Sequence, residues 1–183
     1  MADSENKEVD MNEGVERARE HRNILERLTA RIPGLRGYLE RETRREVDKM
    51  ERDWIAGRLD RARQSLQGHV RDWTRAGNLA NLDLAASLDK LLDRFANRVR
   101  HADYGYTGFF DAAKIYEAEL DRLYEFDLGV IDTVEDVAAR IEALPGTASE
   151  PALRSLLEAT EEADRAFDER ATIFEDVTQK GGR

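Results

Sequence analysis

The sequence predicts an all-α protein: an elongated antiparallel helical bundle of about five helices, with long, coiled-coil-like helices. Three observations predict it. Apolar residues recur at alternating spacings of three and four through most of the chain. Only 3 prolines and 12 glycines punctuate 183 residues, so regular structure is seldom broken. No stretch shows the sustained alternation of a half-buried strand. Long helices joined by short turns pack most simply side by side and antiparallel. The expectation is one domain over 1–183, with polar ends at 1–7 and 179–183 too poor in apolar residues to be ordered.

The first helix is expected to end near Arg31, with Met11, Val15, Ala18, Leu25 and Ile32 on its apolar face. The run "IPGLRG" (Ile32 to Gly37) stops it, because proline and two glycines do not sustain a helix. The second helix spans about Tyr38 to Ala76. Its later half carries a stripe of Ile55, Leu59, Ala62, Leu66, Val70 and Trp73, while its earlier half shows Leu39, Val47, Met50 and Trp54. The two sets differ in phase by roughly 100° on a helical wheel, which points to different packing neighbours for the two halves.

"AGNLAN" (Ala76 to Asn81) is a stop signal, with Gly77 or Asn78 suited to the left-handed conformation. The third helix comes next, with Leu84, Leu88, Leu91, Leu92, Phe95, Val99 and Ala102. The fourth is expected from near Phe109 to Leu144, through Ala113, Tyr116, Leu120, Tyr124, Ile131, Val134, Ala138 and Ile141, with Gly129 as a point of interruption. "LPGTASEP" (Leu144 to Pro151) separates it from the fifth helix, for which Ser149 is the expected N-cap. That last helix carries Leu153, Leu156, Thr160, Ala163, Phe167, Ala171, Phe174 and Val177, close to a heptad seam.

Composition narrows the function classes. The formal net charge of −10 argues against nucleic acid and anionic membranes as main partners, since both favour a basic surface. No apolar run approaches the roughly 18 residues of a bilayer span, so no integral membrane segment is expected. There is no cysteine, which removes disulfide and thiolate chemistry. The polar start "MADSENKEVDMNEG" lacks the apolar stretch of a secretory signal. An acidic, cytoplasmic protein is the expectation. Charge is uneven: residues 38–76 hold ten Lys/Arg against eight Asp/Glu, and residues 111–142 hold three against ten. The second helix is thus placed to attract the acidic ones within the fold.

Few residues carry candidate chemistry. Between Arg100 and Lys114 the chain reads "RHADYGYTGFFDAAK". Gly105 and Gly108 permit a turn, and Tyr104, Tyr106, Phe109 and Phe110 suit a hydrophobic plug for the bundle end. The alternative is a binding loop, a pocket for a small molecule or an enzyme's substrate, with His101 and Lys114 beside those aromatics. No cofactor or metal is expected: a ferritin-like di-metal site needs Glu-x-x-His, and no glutamate stands three positions before His21, His69 or His101. No G-x-S-x-G motif is present either.

Two charges fall on apolar faces. Asp127 lies between Tyr124 and Ile131, and Arg22 lies among Ala18, Leu25 and Thr29. An unpaired buried charge is expensive, so Asp127 is expected inside with a partner, either Arg22 or a tyrosine hydroxyl. If instead Gly129 breaks the helix, Asp127 would cap the helical segment resuming beyond the glycine. The function read from all this is non-enzymatic: a helical bundle acting through a protein partner or as a homo-oligomer.

Overall fold

The computed structural model describes residues 16, 19–36, 44–102, 117–147 and 149–181. They form five helices and, among the described residues, no strand. The helices are α1 (19–31), α2 (Arg44–Arg75), α3 (Leu82–Arg100), α4 (Glu117–Glu142) and α5 (Glu150–Gly181). Both α2 and α5 run 32 residues, about 48 Å at 1.5 Å per residue. None of the helices is long and apolar enough to cross a membrane, among the described residues.

The turns form as their residues dictate. At the end of α2, Asn78 N–H donates to Trp73 C=O (2.8 Å) and Gly77 N–H to Thr74 C=O (3.1 Å). This paired closure needs a left-handed residue, and Gly77 supplies it at φ 75°. At the start of α5, the Ser149 hydroxyl accepts from Ala152 N–H at 3.4 Å, an N-cap. Gly129 interrupts nothing: α4 passes through it unbroken.

Four helices close into a ring. Ion pairs and ring contacts link α2 to α3 (Arg63 with Asp89), α3 to α5 (Phe95 with Phe167), α5 to α4 (Arg170 with Asp127) and α4 to α2 (Arg58 with Glu135). Their registers give the directions. Arg63 meets Asp89 while Arg100 meets Asp60, so α2 and α3 are antiparallel. Arg58 meets Glu135 and Glu142 while Trp73 meets Pro145, so α2 and α4 run parallel. Within the ring, consecutive helices are antiparallel, and the neighbours brought together by the fold alone, α2 with α4 and α3 with α5, are parallel.

One core fills the ring. It includes Leu59 and Leu66 of α2, Leu88, Leu92 and Phe95 of α3, Ile131, Val134 and Ile141 of α4, and Leu153 and Phe167 of α5. Phe95 and Phe167 meet edge to face with centroids 6.1 Å apart, a favoured aromatic geometry. The helix α1 contributes Ile24 and Leu28 to the same core, joined by Ile32 just past its end, and Arg31 pairs with Asp132 of α4 at 2.8 Å.

Among the described residues, both apolar phases of α2 pack against the core of this one chain; Leu39 of the earlier set lies outside the described residues. Ile55 and Leu59 are buried, and Met50 and Trp54 pack partly buried against the core.

The basic character of α2 is used internally as the charge distribution suggests. Arg58 donates to Glu135 (2.8 Å) and, through both terminal nitrogens, to Glu142 (2.5 and 3.2 Å). The Arg58 hydrogen bonds hold the Glu142 carboxyl below its usual range. Trp73 is buried, and its Nε1–H donates to Pro145 C=O at 3.0 Å.

Candidate functional site

Polar residues occupy the core at one level, near the end of the bundle where α3 finishes. Extending the α2 seam Ile55–Leu59–Ala62 backwards by helical steps reaches Asp48 and Glu51, not apolar residues. Both are buried, as are Asp127 of α4 and Arg170 of α5. Arg170 donates from Nε to Asp127 Oδ1 (2.5 Å) and from Nη2 to Asp127 Oδ2 (2.8 Å). The same Nη2 lies 2.9 Å from Asp48 Oδ1 and 4.0 Å from Glu51 Oε2. Arg52 donates to the far oxygen of Asp48 at 3.0 Å and reaches the Arg100 carbonyl at 3.5 Å. All four ring helices are thereby joined at this level.

The guanidinium stands where its planar fork can engage carboxylates from two helices at once. Glu51 is the member with least support: its Oε1 has no hydrogen-bond partner among the described residues. Burial holds its carboxyl well above the usual carboxylate range, and the nearby Asp127 and Asp48 charges add to this against the opposing pull of Arg170. Glu51 is therefore the natural seat of a proton. Among the described residues, no group of three or more His, Asp or Glu side chains is placed to hold a metal ion.

Chemically, the cluster is closed. Its members are 2–5% exposed. Moving α5 by one helical turn would carry Arg170 about 5.4 Å from its acceptors, stranding buried charges. A penalty of that kind selects one register over its neighbours.

The sequence expectations for this region fare differently. Asp127 is buried, but its partner is Arg170. Arg22 is exposed. The buried line of α1 runs through Ile24, Leu28 and Ile32, which turns Arg22 away from the core. The capping alternative for Asp127 is also overturned, because α4 is continuous past Gly129. Sequence reasoning missed Asp48, Glu51 and Arg170. A signal for Arg170 was present: from Leu153, steps of three and four lead through Leu156, Thr160, Ala163 and Phe167 to Arg170, one residue before the Ala171 chosen on sequence.

Of the aromatic corner, Tyr104, Tyr106, Phe109, Phe110 and Lys114 lie outside the described residues. His101 is described: it is exposed at the end of α3, with Nδ1 2.8 Å from Asn97 C=O and its backbone N–H donating to the same oxygen. It completes that helix end.

The opposite end of the bundle presents a different surface. Trp73 Nε1–H and Asn78 Nδ2–H donate to Pro145 and Gly146 carbonyls, clasping the α2–α3 turn to the α4–α5 turn. A hollow of about 380 Å³ opens there beside Trp73, Leu79, Ala80 and Thr147. Leu79 is 62% exposed, and it is the one large apolar side chain exposed among the described residues. No family model matches the chain, and no curated protein or solved structure is detectably similar to it.

Proposed function

We propose that the protein is non-enzymatic and acts as a rigid helical bundle that docks a partner protein at the tip formed by its α2–α3 and α4–α5 turns. The observation that carries this reading is Leu79, a large apolar side chain held in water beside a hollow floored by Trp73. Burying such a side chain yields about 1.5–3 kcal/mol, the kind of contribution made by an anchor residue at an interface. The tip is clasped by the Trp73 and Asn78 hydrogen bonds, so it meets a partner already ordered. Preorganisation of this sort lowers the entropic cost of association.

The area on offer is small, which suits a transient contact.

The test compares the proteins captured from the native host by the wild type and by Leu79→Asp, a change at a solvent-facing position that leaves the core intact. Loss of a defined partner, restored by Leu79→Met, is the expected result. Identical captures from both proteins would refute the tip as the docking site.

A further inference from the structure

A second surface feature lies on the outer face of the α2–α3 pair. Along most of that seam, charges close it: Arg100 pairs with Asp60, Arg63 with Asp89 and Asp93, and Gln67 donates to Asp89. Nearer the tip the ladder stops, and a groove of about 400 Å³ takes its place. Leu66 and Ala85 form its buried floor, and half-buried Val70 and Leu82 with exposed Ala86 form its walls. The groove runs along α3 from Leu82 to Lys90, about 12 Å at the helical rise.

Two cations line it, Arg71 from α2 and Lys90 from α3. Neither has a salt bridge or side-chain hydrogen bond among the described residues, whereas Asp89, the carboxylate in the same lining, is held by Arg63 and Gln67. The Arg71 guanidinium lies back over Gly68, with Nη2 3.8 Å from where a β-carbon would be. In a chain of net charge −10, an apolar trough with an uncompensated cation from each wall is complementary to an amphipathic anion.

We infer that this groove binds a small amphipathic carboxylate: a medium-length saturated chain along Leu66, Val70, Leu82 and Ala85, with its head group between Arg71 and Lys90. The dimensions decide the class of occupant. Ligand pockets run from about 300 to 1,000 Å³, so the volume suits a single alkyl chain. A docked protein helix needs apolar surface well beyond the trough, since a standard interface buries about 800 Å² per partner. Here the flanks are polar or charged, and Leu79 is the single large apolar side chain exposed among the described residues. The overall negative charge also disfavours an anionic membrane surface as the source of the head group.

The experiment titrates decanoate, below its micelle concentration, into protein carrying labelled Leu, Val and Ala methyls and tracks their NMR shifts. Decyltrimethylammonium serves as the cationic match. The expected result is saturable shifts confined to Leu66, Val70, Leu82, Ala85 and Ala86 with decanoate and not with the cation. The double variant Arg71→Glu, Lys90→Glu should weaken binding at least about tenfold, the loss expected for one charged hydrogen bond. Ala86→Phe, which fills the trough from an exposed position, should abolish binding at an unchanged unfolding midpoint. The inference is overturned by an absence of saturable shifts, by equal binding of the cation, or by undiminished binding in the charge-reversed variant. It is equally overturned if the groove methyls respond only to an acidic amphipathic peptide or to anionic vesicles.

Discussion

Replacing Arg170 with methionine keeps an unbranched apolar stem, shorter than that of arginine, and removes the guanidinium that Asp48, Glu51 and Asp127 share. In the wild type Arg170 is 3% exposed and donates twice to Asp127 while contacting Asp48 at 2.9 Å. Nothing among the described cations can substitute for it. Arg52 already serves Asp48 from the other side and does not bond Asp127. The variant therefore leaves at least one carboxylate uncompensated in the core, a situation that costs about 3–5 kcal/mol. That is a large share of the roughly 5–15 kcal/mol typical of a folded domain. For a chain of this length it corresponds to a fall in Tm of about 6–20 °C. Urea unfolding at pH 7 measures it, and repeating the comparison in acid should shrink the deficit, because a neutral carboxyl is cheaper to bury.

Replacing Arg170, Asp127, Asp48 and Glu51 together by apolar residues of similar volume, with Arg52→Met so that the other partner of Asp48 is not stranded, removes the unpaired charges along with the pairs. Such replacements are often neutral or stabilising, so this protein should recover near wild-type stability. An Arg170→Met variant that loses less than about 1 kcal/mol would refute the account, since the carboxylates would then have another source of compensation.

Glu51→Gln tests the raised carboxyl pKa. The unfolded chain releases this proton near pH ~4.3 and the folded one only at higher pH, because burial and the Asp127 charge oppose ionisation. Wild-type stability should therefore fall, relative to the variant, as pH rises from about 4.3 through the folded-state pKa, read from urea midpoints across that range. Gly129→Ala should stabilise by about 0.5–1 kcal/mol, because Gly129 is exposed within α4 and an added β-carbon meets nothing within 4 Å; a fall in Tm would show that the glycine is needed. Ser149→Ala removes the hydroxyl that accepts from Ala152 N–H and should cost about 0.5–2 kcal/mol, measured by thermal unfolding.

The sequence by itself determined the helices, those of their ends that fall among the described residues, and the placement of Asp127 on a buried face; the expected helix starts at Tyr38 and Phe109 lie outside the described residues. Each of these rests on information local to one segment. The 3.6-residue period marks a face, Gly77 meets the need for a left-handed residue, and Ser149 supplies an acceptor to its own helix. The tertiary structure alone decided which faces meet. Helical periodicity does not say whether α2 lies against α3, α4 or both, so the partner of Asp127 was not legible and Arg22 was as available as Arg170. Asp48 and Glu51 were hidden for a related reason: charges on a seam look like a change of apolar phase until a guanidinium from a distant helix is set among them. The groove lined by Arg71 and Lys90 likewise exists only between two antiparallel helices, a geometry made between segments and not within one.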